Sequence, residues 1–375
     1  MGISEREGED GDAFIAMGIR LDVDVKAAKI IKSTLESLGG AAAVRKSPGG
    51  AGSGETGIVI SASRRTLRIL ADRLEEDQPG LVSVGAELRS CLGSENRTMR
   101  WGARELDFRR KTYVMGILNR TPDSFYPASR RQSLREAMLA ASGMIEAGAD
   151  IIDVGGESSR PGSDPVPAEE ETDRVVPVIR EIRGHSDIMI SVDTSKKEVA
   201  ERALDVGADM VNDITALKGS RDLAGLVAGR RVPIVLMHMR GTPKTMQTDP
   251  SYSNAVDEIL RELSASISLA LEAGISRELI IIDPGIGFGK RVQDNLGIIR
   301  DLGAFRSLNA PIMIGLSRKS FIGEITGQPV EKRLTGTVTA NTLAVMNGAN
   351  IVRVHDVGDA VEMVKIMDSV RRIGE

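Results

Sequence analysis

From Tyr113 onward the chain repeats one pattern: a short apolar run, a polar turn, then an amphipathic stretch. The runs are YVMGIL (113–118), ADIIDV (149–154), DIMISVD (187–193), ADMVND (208–213), VPIVLMHM (232–239), ELIIID (278–283), PIMIGLS (311–317) and ANIVRVH (349–355). Short, nearly continuous apolar runs predict strands buried on both faces, as in parallel sheets. Between them, Ser133–Ala147, Glu169–Ile182 and Val256–Ala273 carry apolar residues at helical spacing. Eight strand-then-helix units within residues 112–375 predict an α/β fold of the (β/α)8 barrel (TIM barrel) type. A doubly wound sheet is the competitor. It usually uses fewer strands, and the chain has neither a GxGxxG nor a GxxxxGK[ST] loop. The nearest candidate, PGIGFGKR (284–291), has the wrong glycine spacing.

The N-terminal part is patterned differently. Residues 1–18 open MGISEREGEDGD and predict a flexible acidic tail. Residues 19–92 predict a small α/β module. In it Ile30, Ile31, Leu35 and Leu38 share a helix face that Gly39-Gly40 ends, and AAAV (41–44) and GIVIS (57–61) read as strands. Ser63 then opens a helix carrying Leu67, Leu70 and Leu74, stopped by Gln78-Pro79-Gly80. No catalytic constellation is visible in this module. Residues 93–111 are polar and irregular and predict a linker.

Composition narrows the chemistry. A net charge of -4 supplies no field for a polyanion, which argues against nucleic acid as a partner. One cysteine excludes an intramolecular disulfide, and three histidines without close spacing argue against a zinc hydrolase. No apolar run is long enough to span a membrane, and the first residues lack a leader pattern, so a cytoplasmic protein is expected.

A barrel gathers the C-terminal ends of its strands into one mouth, where catalysis takes place. Here every run ends in polar groups: Asn119, Asp153, Asp193, Asn212 with Asp213, His238, Asp283, Ser317-Arg318-Lys319, and Arg353 with His355. A single strand-end Asp is ordinarily a turn or capping residue. The full set carries more weight, and its character is mixed. Carboxylates and amides stand on the second, third, fourth and sixth strands, cations on the last two. That pattern fits one wall that hydrogen-bonds a donor-rich heterocycle and another that holds an anion. Arg353 and His355, two apart on a strand, point the same way and suit a phosphate, though a strand-end salt bridge is the plainer alternative. The loops NRTPDSFYPASRRQS (119–133) and GGESSRPGSDPVPAEE (155–170) exceed the usual βα loop length and suit lids.

These residues resemble a known family. MGILNRTPDSF (115–125), DIIDVGGESSRPGS (150–163), ISVDTSK (190–196), VNDI (211–214), LMHMRGTPKTM (236–246), IIDPGIGFGK (281–290), GLSRKSFIG (315–323) and RVHDV (353–357) are together similar to the motifs of dihydropteroate synthase, in order along the chain. The resemblance implies that 6-hydroxymethyl-7,8-dihydropterin pyrophosphate condenses with 4-aminobenzoate, giving 7,8-dihydropteroate and pyrophosphate in folate biosynthesis. It implies pterin contacts from Asp153, Asp193, Asn212, Asp283 and Lys319, and pyrophosphate contacts from Asn119, Arg353 and His355. It assigns 4-aminobenzoate to Ser159, Arg160, Pro161, Phe288 and Ser320. Mg2+ is implied at Asn119, with the catalytic set Asn119, Asp193, Lys319, Arg353 and His355. It also implies SN1-like loss of pyrophosphate, sulfonamides as competitors and a homodimer.

The first lid departs from the family pattern. Arg120 stands where an apolar residue is usual, and Tyr126-Pro127 where Asp-Gly-Gly normally follows Phe-Ser; Ser159 replaces a common Thr. Two further readings use the same pterin wall: a non-catalytic or altered-substrate pterin-binding paralogue, and a pterin-dependent methyltransferase domain. The second would not need TPDSF, SRKS and RVH, which are all present.

Overall fold

The computed structural model describes residues 17–45, 55–85, 88, 98–119 and 127–371. The expectations for most of the acidic tail, and those resting on Arg120 and Tyr126 in the first lid, lie outside these residues. The described chain forms two compact units, the larger running over residues 97–370.

The larger unit is the (β/α)8 barrel. Its strands are β6 (Tyr113–Asn119), β7 (Ile151–Gly155), β8 (Met189–Asp193), β9 (Met210–Asp213), β10 (Ile234–Met237), β11 (Ile280–Asp283), β12 (Met313–Ile314) and β13 (Ile351–Val354). They pair in the order β11-β10-β9-β8-β7-β6-β13-β12, all parallel, and a bridge between Ile282 and Ile312 closes the ring. Every residue of β9, β10 and β11 is buried. That explains why these segments show no alternation: helices cover one face and barrel-lining side chains fill the other. Outward-facing Ile152, Val192, Val211 and Leu236 pack on helix residues such as Val175, Ile179, Val199 and Ile259.

The segment expected as a linker is part of this unit. β4 (Thr98–Trp101) and β5 (Arg104–Asp107) form an antiparallel hairpin turned by Gly102 at φ +53°. Its Met99, Trp101 and Leu106, with Phe108, pack against Met115, Ile151, Met210, Val235, Ile281, Met313 and Ile351 from the early positions of the strands. The hairpin therefore stoppers the floor of the barrel, opposite the mouth. Tyr113 Oη accepts from Asp107 N at 2.7 Å, and Arg104 reaches Asp209 at 3.1 Å, fixing it there.

The smaller unit contains β1 (Met17–Asp24), α1 (Val25–Ser37), β2 (Ala41–Arg45), β3 (Glu55–Ala62) and α2 (Arg64–Glu76). The sheet order is β1-β3-β2, antiparallel throughout. The expected tail boundary at residue 18 thus falls inside a strand that begins at Met17. Asp24 caps α1 by accepting from Lys26 N and Ala27 N, and Ser63 caps α2. Ile58 and Ile60 are buried while Val59 is exposed, so one face of the sheet packs on the helices. No helix among the described residues is long and apolar enough to cross a membrane.

Candidate active site

Strand register assembles the mouth. Asn119 pairs with Gly155, Gly155 with Asp193, and Asp193 with Asn212, so one row crosses four neighbouring strands at their C-terminal ends. Gly155 makes the row close: a Cβ there would stand 3.0 Å from Asn119 Oδ1 and 3.5 Å from Asp193 Cβ. Asp153 lies two residues deeper on β7 and is fully buried. From β13 the Arg353 guanidinium reaches across, donating from Nε to Asp153 Oδ2 at 2.6 Å and from Nη2 to Asp193 Oδ2 at 2.7 Å. Asn212 Nδ2 donates to the same Asp153 oxygen at 3.0 Å. Asp153 Oδ1 and Asn212 Oδ1 are buried acceptors with no hydrogen-bond donor among the described residues.

One guanidinium serves two carboxylates, and this imbalance sets the electrostatics. Burial pushes the Asp193 carboxyl up to about 7 against the pull of Arg353, and the neighbouring Asp153 charge adds to the rise. Burial alone would lower Arg353, but the Asp153 and Asp193 carboxylates more than offset it, so the guanidinium stays charged. Burial also raises Asp283, opposed by Lys319, and lowers Lys319 to about 8 against the attraction of Asp283.

The loop after β11 completes this side. Asp283 Oδ1 accepts from Gly285 N at 2.7 Å. Lys319, the residue just before a short helix (Ser320–Thr326), donates from Nζ to Ile286 O and sits 4.6 Å from the centre of the Phe288 ring. Gly285, Gly287 and Gly289 all have positive φ, and a Cβ on Gly285 would fall 1.9 Å from His238 O. Glycine here permits both the backbone conformation and the close contact.

Asp153, Asp193, Asn212 and Arg353 thus touch directly, and Lys319, Asp283 and Phe288 form a second group coupled to them. Asn119 is exposed at the end of the row. His355 does not share a partner with Arg353. Its Nδ1 meets Ser317 Oγ at 3.0 Å, and burial with the nearby Arg353 charge lowers its pKa, favouring a neutral ring. Ser159 is half-buried, while Arg160, Pro161 and Ser320 are exposed at the rim. Gly162 N in the second loop donates to Pro243 O at 2.9 Å.

Two strand-end residues have structural work instead. Asp213 accepts from Thr215 N, Thr215 Oγ1 and Leu217 N, holding Ala216 and Leu217 at positive φ. Arg318 forms a two-pronged pair with Asp356 at 2.7 and 2.8 Å. His238 is buried against Lys290 and Glu262.

Sequence reasoning missed the supports behind the mouth. Lys196 bridges Glu157 in the second loop to the buried Glu171, and Arg174 Nη1 donates to Gly156 O at 2.7 Å. Gly156 is the base of that loop, and a Cβ there would meet Glu171 Cγ and Val175 Cγ1 at 2.9 Å. The signal available was GGE followed by a Glu-rich helix start.

Residues 115–355 match the family model described as pterin binding enzyme. A dihydropteroate synthase of Synechocystis sp. is 44% identical over 267 residues, covering 71% of this chain and 92% of that protein. Among solved structures, the Yersinia pestis dihydropteroate synthase with a sulfonamide drug superposes with a TM-score of 0.69 at 38% identity, covering 73% of this chain and 99% of that one. The Xanthomonas albilineans enzyme with 4-aminobenzoic acid gives 0.68 at 40% identity, covering 74% and 98%.

Proposed function

The chain belongs to the dihydropteroate synthase family, and from that premise we propose how its residues divide the reaction. It is a transferase that condenses 6-hydroxymethyl-7,8-dihydropterin pyrophosphate with 4-aminobenzoate to give 7,8-dihydropteroate and pyrophosphate, a step of folate biosynthesis. The observation that carries the division is a pair of buried acceptors, Asp153 Oδ1 and Asn212 Oδ1, without a donor among the described residues, beside the Asp193 carboxyl pushed up to about 7.

Buried acceptors without donors are costly, and a pterin edge brings several N–H groups. The pterin lies against Asp153, Asn212 and Asp193, with Asp283 and Lys319 at its other edge. Its N–H groups complete the carboxylates, and the Arg353 guanidinium is released to turn toward the pyrophosphate. Arg353, with Asn119 and a neutral His355 donating one N–H, then faces negative charge where it grows. The C–O bond breaks, its electron pair leaves with pyrophosphate, and the pterin ring shares the positive charge left on the methylene. The aniline nitrogen supplies the electron pair for the new C–N bond and gives up one proton to water or to the released pyrophosphate. Ser159, Arg160, Pro161 and Phe288 hold the ring, with Lys319 and Ser320 at its carboxylate.

Mg2+ fits the donor set at Asn119: the side-chain oxygen lies near Asp193 at the exposed end of the row, and Mg2+ takes few protein ligands when phosphates supply the rest. When bound it would neutralise pyrophosphate charge. A homodimer would form through the barrel helices, on which Leu343, Met346, Ile366 and Val370 are exposed apolar side chains.

The test is pyrophosphate release by the full chain. Release that needs both substrates and Mg2+, with dihydropteroate formed in equal amount, is expected. Bound pterin with no product in the presence of 4-aminobenzoate would point to another amine or to a binding protein.

A further inference from the structure

Lys290 is 3% exposed, yet the groups it touches carry no charge to match its own. Its Nζ meets His238 Nδ1 at 2.9 Å, Phe288 O at 3.0 Å and His238 O at 3.4 Å. Three polar atoms thus surround the Lys290 nitrogen. Burial lowers the His238 pKa to about 4, so its ring is neutral, and its Nε2 faces Glu262 Oε2 at 3.4 Å. Glu262 is held in turn by Arg240 at 3.0 Å and Lys218 at 2.8 Å. A buried lysine is retained only when something fixes it. Here the fixed object is the turn of backbone between Asp283 and Lys290.

That turn is tied to its neighbours on several sides. Gln247 Nε2 donates to Gly287 O at 2.7 Å, and Asn295 Oδ1 accepts from Gly287 N at 2.9 Å. Cβ atoms at Gly285 and Gly289 would strike His238 O and Arg240 O, so the turn lies flat on the segment following β10. On its other side it presents Ile286 O to Lys319 and the Phe288 ring beneath the Lys319 ammonium.

We propose that Lys290 is a positioning residue for the aromatic amine. It pins the Pro284–Gly289 turn to His238, so that the Phe288 ring and the Ile286 carbonyl fix both the amine's ring and the lysine that faces its carboxylate. The proposal rests on the reading that 4-aminobenzoate lies against Phe288 with its carboxylate toward Lys319 and Ser320. Burial lowers the Lys290 pKa well below its ordinary value, opposed by the nearby Asp283 carboxylate. Loss of these bonds displaces a contact surface while leaving the Asp153 and Asn212 wall in place, so the two substrates should feel it unequally.

The experiment is steady-state kinetics on Lys290→Met, which keeps the length of the side chain and removes its donors. Misplacement by a fraction of an ångström should raise KM for 4-aminobenzoate about tenfold and lower kcat, while KM for the pterin pyrophosphate stays within about twofold. An unchanged amine KM, or an equal rise in both, overturns the proposal. His238→Gln, which retains an acceptor for Nζ, should stay near the wild type, whereas His238→Leu should repeat the Lys290→Met split. Equal behaviour of those two variants also overturns it. Should the buried variants fail to fold, Gln247→Ala reads the same turn from an exposed side chain. It should raise the amine KM in the same sense by a smaller factor, and no change counts against the proposal. Phe288→Ala separates the underlying reading: an unaltered amine KM there would remove the amine from this turn altogether.

Discussion

Arg353 Nε lies 2.6 Å from Asp153 Oδ2, and the carboxylate it holds is wholly enclosed by the barrel. The pair joins the last strand to the second across the mouth, so it is both a support and a part of the site. Arg353→Ala strands a buried charge and should cost about 3–5 kcal/mol of stability by urea denaturation. Arg353→Ala combined with Asp153→Asn should recover part of that cost. No recovery would mean that the loss comes from packing of the arginine stem.

The same substitution should separate two ligands. Arg353→Ala is expected to weaken binding of the pyrophosphate-bearing pterin far more than that of bare hydroxymethylpterin, measured by calorimetry. Equal losses would remove Arg353 from the anion side.

Two shifted groups titrate at or just above neutral pH. Asp193 is raised to about 7, so its proton leaves only as pH rises through that value, and pterin binding to the carboxylate should strengthen across the same window. Stability runs the other way. The native state holds a proton that the unfolded chain has released, so this group's contribution is fully present below its ordinary value of 3.8 and is lost as pH rises through about 7. Lys319 is lowered to about 8, and its charge disappears above that pH. A bell-shaped kcat/KM with limbs near these values is expected, and Lys319→Arg should move the alkaline limb upward while leaving the acid limb. Asp193→Asn should abolish measurable pterin binding; retention of affinity would dismiss the proposed wall.

Gly285→Ala should be poorly tolerated. A positive φ alone costs about 1–3 kcal/mol for a residue with a side chain, and the added methyl would also drive into His238 O, at 1.9 Å. Thermal unfolding should show a loss well above that of Gly297→Ala, a helix position where a Cβ meets nothing within 4 Å. Similar midpoints for the two variants would contradict the close approach.

Sulfonamides mimic the aniline and anionic ends of 4-aminobenzoate, and the Yersinia pestis relative has been solved with such a drug. Inhibition should be competitive against 4-aminobenzoate. Competition against the pterin substrate would place the amine elsewhere.

What the sequence revealed depended on whether a residue's surroundings were local. Long buried runs such as ELIIID (278–283) announced the barrel because a strand covered on both faces has to be apolar throughout. The hairpin at 98–107 escaped because its strands are four residues each and its apolar side chains alternate with Arg100, Arg104 and Glu105. Asp213 looked like its neighbour Asn212. Only the three bonds it accepts from its own turn distinguish them. Lys290 closed a glycine-rich segment that failed as a phosphate loop, and its partner His238 is remote in sequence, so nothing local could pair them. Arg353 was expected to face an anion; its two carboxylate partners sit 160 and 200 residues away and become visible only when the sheet closes.

The hairpin beneath the strands has a consequence for traffic. A barrel stoppered at one end is a cup, and a cup imposes a queue. On the proposed assignment, a flat ring seated on Asp153 and Asn212 at the bottom would have to arrive before an amine that rests on Phe288 and Ser320 at the brim, and the brim would have to clear before that ring could leave. Met99, Trp101 and Leu106 pack against the strand starts, so both ligands would share the mouth as their way in and out.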